Sequence, residues 1–182
     1  MVIRIQKTAS DLHFNSPDLI TRPLGRKMYE KVRNMLKNVS HGETVILDFS
    51  GIMVVDTSFI DEFLVRLIND SMNEQAGFFI KLTNISEISD NNIDAVLRSY
   101  SNYKNKKYVV NTSEIRQNNN FFLGPLTDTE RDVVHYIRIN KSASLQDLSE
   151  FTGLSKKQLS ELLQDLCGLR VLKSDGGIYF SI

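Results

Sequence analysis

The stretch that most constrains the fold is Thr44-Val45-Ile46-Leu47-Asp48-Phe49, a nearly continuous apolar run closed off by His41-Gly42 before it and Ser50-Gly51 after it. A run of this kind reads as a strand buried on both faces. Such a strand needs helices packed over its sheet, and the flanking sequence supplies them. From about Arg22 to Lys37, Met28, Val32, Met35 and Leu36 recur at helical spacing. From Ser58 to about Asn73, Phe59, Ile60, Phe63, Leu64, Leu67 and Ile68 form a wide apolar stripe, with Glu62 and Arg66 one turn apart on the opposite face. Strands are expected at Val2 to Ile5, Phe78 to Leu82 and Lys107 to Val110, and a further helix from about Ile88 to Tyr100. Strands separated by single helices predict an α/β unit with some parallel pairing.

The texture changes after Asn118-Asn119-Asn120-Phe121-Phe122-Leu123-Gly124-Pro125. A polar run, an apolar triplet and a Gly-Pro breaker read as a linker whose Phe residues dock on a domain. The boundary falls near Gly124, giving residues 1–124 and 125–182. In the second part Thr127 and Glu130 are spaced as a capping box before a helix reaching about Asn140, with Val133, Val134 and Ile137 apolar. Ser144 caps a second helix carrying Leu145, Leu148 and Phe151. Thr152-Gly153-Leu154 turns the chain, and Leu154 plugs the space between helices. Ser155 caps a third helix carrying Leu159, Leu162, Leu163 and Leu166. Arg170 to Lys173 and Ile178 to Ser181, joined by Ser174-Asp175-Gly176-Gly177, read as a hairpin.

Composition removes several function classes. A chain of 182 residues, 41% hydrophobic and 24% charged, is a folded globular protein. No apolar run approaches the roughly 18 residues that span a bilayer, and MVIRIQKTAS lacks the apolar core of a secretory signal. A single cysteine, Cys167, excludes a disulfide framework and a cysteine zinc site, and reads as a small buried residue. His13, His41 and His135 show no ligand spacing. A cytoplasmic setting is the default. Asp48, Asp56 and Asp61 could together hold Mg²⁺, or serve as caps and surface charges. With no phosphate-binding glycine loop, nucleophile elbow or His–acid pair beside them, no catalytic residue, metal or cofactor is expected. Lys plus Arg and Asp plus Glu are each 22. The neutrality holds in both parts: 15 cations against 14 acids before Pro125, and seven against eight after it. Any nucleic-acid contact must therefore come from a local patch.

Two resemblances follow from the motifs. Val45-Ile46-Leu47-Asp48-Phe49-Ser50-Gly51, with Asp56-Thr57-Ser58-Phe59-Ile60 opening the next helix, resembles the STAS fold of sulphate transporters and anti-sigma-factor antagonists. The resemblance is closer still to a STAS-like bacterial family of unknown function, whose Arg-and-Gly helix start is similar to Thr21-Arg22-Pro23-Leu24-Gly25-Arg26. Ile80-Lys81-Leu82-Thr83-Asn84 fits that family's next strand and loop. The resemblance covers about Arg22 to Val110. It implies a partner surface at Asp56, Thr57, Ser58, Asp61 and Glu62, with Ser58 matching the serine that a partner kinase phosphorylates in the classical antagonists. Phe59-Ile60 replaces the classical Gly-Leu. The plain alternative is that Thr57 or Ser58 caps the helix.

The second part, from about Leu126 to Ile182, resembles a winged helix-turn-helix domain: helix, helix, turn, helix, hairpin. That resemblance implies DNA contact by Ser155, Lys156, Lys157, Gln158 and Ser160 on the third helix, and by Lys173 and Ser174 on the wing. Lysine could contact phosphate or guanine, and glutamine could pair with adenine. Glu161 and Asp165 lie on or near the same face. Together the resemblances imply a bacterial regulator. Either the first part meets a partner or a second copy while the second part binds double-stranded DNA, or the whole is an adaptor acting on a histidine-kinase-like ATPase or sigma system.

Overall fold

The computed structural model describes residues 1–73, 77–117 and 119–182. Asn118, the start of the expected linker, lies outside them. The chain divides into two compact units, Met1–Pro125 and Leu126–Ile182.

The first unit opens with β1 (Val2–Arg4), α1 (Ile5–Ser10), β2 (Asp18–Leu19) and α2 (Arg22–Leu36). It continues through β3 (Thr44–Asp48), β4 (Val54–Val55), α3 (Thr57–Glu62), α4 (Leu64–Met72), β5 (Phe79–Thr83), α5 (Glu87–Lys104), β6 (Val110–Thr112) and β7 (Phe122–Leu123). The main sheet runs β1-β3-β5-β6-β7, and β2 and β4 form a separate parallel pair. β1, β3, β5 and β6 are parallel, and β7 returns antiparallel to β6.

Register aligns Ile3 with Leu47 and Leu47 with Leu82, and Val45 with Ile80. These side chains join one core with Met28 and Val32 of α2, Phe59 and Ile60 of α3, Leu64 and Leu67 of α4, and Ile93 and Leu97 of α5. The alternate row is less covered: Thr44, Ile46 and Asp48 are half-buried, and Val2 and Arg4 of the neighbouring strand are exposed. β3 is thus fully buried on one face only. An unbroken apolar run reports tolerance of burial, and the pleat still divides it between two faces.

The expected linker is also structured. Phe122 and Leu123 pair with Asn111 and Val110, so the apolar triplet supplies an edge strand of the sheet. The strand expected at Lys107 to Val110 begins at Val110. α1 and β2 had no sequence signal. The stripe from Ser58 to Asn73 is split at Phe63, where φ −105° and ψ −69° close one helix and open the next. The apolar side chains stay aligned across this joint, with the Phe59 and Phe63 rings 5.2 Å apart.

The second unit contains α6 (Asp128–Asn140), β8 (Ser142–Ser144), α7 (Leu145–Thr152), α8 (Lys156–Gly168), β9 (Leu172–Asp175) and β10 (Ile178–Ser181). Its sheet runs β8-β10-β9, both pairings antiparallel, so the hairpin carries a third strand that had no sequence signal. Each helix opens on a complete capping box: Thr127 with Glu130, Ser144 with Asp147, Ser155 with Gln158. Gly153, at φ 71°, takes the left-handed turn between α7 and α8. Val133, Ile137, Leu148, Leu159, Leu163 and Leu166 are fully buried. Leu145, Leu154 and Leu162 are only half-buried, and Phe151 is exposed, its ring 4.5 Å from Tyr136.

Candidate functional site

The candidate partner surface of the first unit is built on the start of α3. Asp56 is the N-cap, at φ −82° and ψ 163°, and its carboxylate accepts the Phe59 N–H at 2.7 Å. The same carboxylate accepts the Ser58 hydroxyl at 3.0 and 3.1 Å. The expectation that Thr57 or Ser58 caps the helix is therefore corrected. All three residue types can cap, but the extended backbone falls at Asp56 and a carboxylate accepts strongly from a helix N–H. Thr57 is exposed and Ser58 half-buried.

One turn further on, α3 turns acids toward α2. Asp61 accepts Arg22 Nη1 at 2.5 Å and the Tyr100 hydroxyl of α5. Glu62 accepts Arg22 Nη1 at 3.1 Å and Arg26 Nη2 at 3.0 Å, with Arg66 Nη1 at 3.7 Å. The contact is close because Gly25, buried on α2, brings its backbone against the Phe59 carbonyl. Burial works against the Asp61 charge, but the Tyr100 hydrogen bond and Arg22 prevail and hold its pKa below the usual carboxylate range. Glu62 is held low first by its hydrogen bond to Arg26. Burial, and then the bond to Asp61, push the Tyr100 hydroxyl far up.

Arg22, Asp61 and Tyr100 line an open cavity of about 250 Å³ with Thr57, Ser58, Ser99 and Lys104. Sequence reasoning found the acids and hydroxyls of this surface. It singled out Arg22 and Arg26 only as part of the helix start and did not join them to these acids, and it missed Tyr100 and Lys104, which come from another element.

The three aspartates weighed as a metal site do not converge. Asp48 accepts from the Ser50 backbone and hydroxyl and from Asn84, whose hydrogen bond is the main reason its pKa lies low. Asp56 caps α3, and Asp61 serves Arg22 and Tyr100. Among the described residues, no group of three or more His, Cys, Asp or Glu is placed to hold a metal.

In the second unit, Ser155, Lys156, Lys157, Gln158 and Ser160 are all exposed on or before the first turns of α8. Ser155 is the N-cap. The Gln158 side-chain carbonyl already accepts the Ser155 N–H at 3.2 Å and hydroxyl at 2.7 Å. Bidentate pairing with adenine needs that carbonyl, so Gln158 would have to leave its box to read a base. Glu161 and Asp165 are exposed further along α8. On the hairpin Ser174 is exposed, but Lys173 is half-buried and burial pushes its ammonium pKa down. Cys167 is half-buried, and burial raises its thiol pKa.

No helix among the described residues is long and apolar enough to cross a membrane. No curated protein and no solved structure matches the chain. Residues 25–90, from the Gly25 contact through β3, the α3 start and β5 into the first turn of α5, match the STAS-like domain of unknown function.

Proposed function

We propose that this chain is a regulatory protein whose STAS-like unit meets a protein partner and whose second unit is a winged helix-turn-helix that contacts double-stranded DNA. The order α6, β8, α7, α8 and hairpin, with β8 closing the hairpin into a three-stranded sheet, supports the winged-helix reading. The observation that carries DNA contact is the first turn of α8. α6 and α7 have acids there, as the helix dipole favours; α8 has none and instead exposes Lys156 and Lys157. Cations at a helix N-terminus work against the dipole by about 0.3–1 kcal/mol each, a cost that an anionic partner offsets. On this reading the lysines contact phosphate, and Ser155 and Ser160 flank them. The half-buried Lys173 contributes little. The protein works in the cytoplasm without catalysis, cofactor or metal.

The test is fluorescence anisotropy of the full chain with genomic duplexes across a salt series. Exchange of both Lys156 and Lys157 for Ala should flatten the log–log salt dependence by about 2, at roughly 0.9 per phosphate contact. Absence of binding by folded protein at low salt would remove the DNA role.

A second reading is favoured by Ser58, whose hydroxyl lines a cavity shared with Arg22 and Lys104. In this version the chain is an adaptor, switched by phosphorylation of Ser58 by a histidine-kinase-like ATPase. Arg22 and Lys104 would receive the added charge, while Asp56 would oppose it. Intact-mass spectrometry and site mapping on protein taken from its native cells tests this. A chain unmodified at Ser58 across growth conditions sinks it.

A further inference from the structure

We infer that α8 pairs antiparallel with α8 of a second copy of this chain, through the charges on its exposed face. This goes beyond the proposed DNA contact and stands without it, because it uses the acids of the helix as well as its lysines.

The order of charge along α8 is unusual. Lys156 and Lys157 stand in its first turn and Asp165 in its last, with Glu161 between them, and all four are exposed. Leu159, Leu163 and Leu166 are buried on the opposite side, so the charged row faces away from the core of the second unit. Both ends run against the helix dipole, which favours acids at the start and cations at the end. α6 follows that preference, with Asp128 and Glu130 in its first turn and Arg138 in its last. α8 has no acid in its first turn and no cation in its last. Arg131 of α6 pairs with Asp128 at 2.9 Å and Asp132 at 3.5 Å, whereas among the described residues α8 makes no ion pair. Lys157 and Glu161 are one turn apart, but with the cation on the N-terminal side, which is the weaker order.

The whole row selects its partner. A polyanion matches the lysines and is opposed by Glu161 and Asp165 further along the helix. A basic partner matches only the acids. An antiparallel second α8 matches both, because the lysine end of each helix lies beside the acid end of the other. Where a lysine of one copy meets an acid of its partner, the same pair recurs with the copies exchanged, as a two-fold axis requires. Near the C-terminal end the approach is open: Gly168 is exposed, and a Cβ there would meet nothing. α8 exposes no large apolar side chain, and its 13 residues span about 20 Å. The contact therefore falls well short of the roughly 800 Å² per partner of a standard interface. Pairing is weak and governed by salt, since exposed charges are screened beyond about 10 Å at 0.1 M.

Sedimentation equilibrium of the full chain, at about 0.02 M and about 0.5 M salt, reads the pairing. Wild-type protein should approach a dimer with rising concentration at low salt, and its dissociation constant should rise at least tenfold at high salt. Two charge-reversed proteins, Lys156→Glu with Lys157→Glu and Glu161→Lys with Asp165→Lys, should each be monomeric at low salt. Their equimolar mixture should associate again. All four positions are exposed, and circular dichroism checks that both variants fold. A wild-type chain that stays monomeric at low salt overturns the pairing. So does a reversed protein that still associates alone with wild-type strength, or a mixture of the two that does not associate. A chain that pairs in this way and binds no duplex keeps the pairing and loses the DNA contact, so the two readings fail separately.

Discussion

Replacing Gly25 by Ala tests how closely α2 must approach α3 for the arginine–carboxylate contacts to form. In an exposed helix the change is stabilising by about 1 kcal/mol, because glycine is a poor helix former. Gly25 is not exposed: a Cβ there would stand 2.9 Å from the Phe59 carbonyl oxygen and 3.0 Å from Glu62 Cβ. Ordinary contact begins near 3.4 Å, so the helices must part by about half an ångström. The obstructing atom is backbone in the middle of α3 and cannot rotate away. Overpacking of this kind costs about 1–3 kcal/mol. Set against the propensity gain, the net is a loss of up to about 2 kcal/mol. Gly25→Val, with a larger side chain and a smaller propensity gain, should lose more. Urea unfolding at pH 7, followed by circular dichroism, gives the stabilities. Chemical shifts of the Arg22 and Arg26 side chains report whether their contacts to Asp61 and Glu62 loosen. If Gly25→Ala is more stable by the full propensity gain with those shifts unmoved, the close approach does not constrain the site, and helix packing is not why glycine stands at this position.

Other perturbations read different parts of the unit. Arg116 bonds Asp90 at 3.1 Å and the Ile85 carbonyl at 3.0 Å, with both charged side chains under 10% exposed; Arg116→Ala should cost about 3–5 kcal/mol in urea unfolding, and pairing it with Asp90→Leu should recover most of the loss. Asp56→Ala should cost about 1 kcal/mol through the lost cap, whereas Thr57→Ala at the exposed neighbouring position should stay within about 0.5 kcal/mol. Asp48, Asp61 and Glu62 all have folded pKa values below their unfolded ones, so their stabilising effect is complete above the ordinary carboxylate range and is lost as pH falls through and below it. Unfolding midpoints should be flat from pH 7 to about 5 and fall steeply below about 4, more shallowly in Glu62→Gln.

What could be read from the sequence was local. The three helix starts of the second unit each lie within four residues, so the Thr127–Glu130 box and the Ser144 and Ser155 caps could be read without knowledge of the fold, and the structure adds Asp147 and Gln158 as the return halves of two further boxes. The stripe through Phe59, Ile60, Phe63 and Leu64 likewise repeats at one helical period. What could not be read depends on partners far along the chain. Phe122 and Leu123 look like linker residues until they meet Val110 and Asn111 as an edge strand. At the α3 start, Asp56, Thr57 and Ser58 are all competent caps, and only the entry angle of the chain selects Asp56. The candidate site shows the same division. Asp61 and Glu62 were identifiable by their place on a helix, but Arg22 lies 39 residues from Asp61, and Tyr100 reaches it from the other side.

The equality of 22 cations and 22 acids describes the chain as seen from far away, which is not how a ligand meets it. At physiological salt, charges more than about 8 Å apart are largely screened. A bound anion therefore responds to the few groups around it. Within that distance the surface is uneven: Arg22, Arg26 and Arg66 share Glu62, and two lysines open α8 with no acid in their turn. Glu161 and Asp165 offset those two lysines only at the next turns of the helix. Neutrality overall then acts on rate more than on binding strength. Without a net field there is little long-range steering, so the rate of association with DNA should be slow for the affinity, and the salt dependence of binding should come from the few phosphate contacts themselves. The strength of the complex should rest on contacts that single substitutions at Lys156 or Lys157 remove.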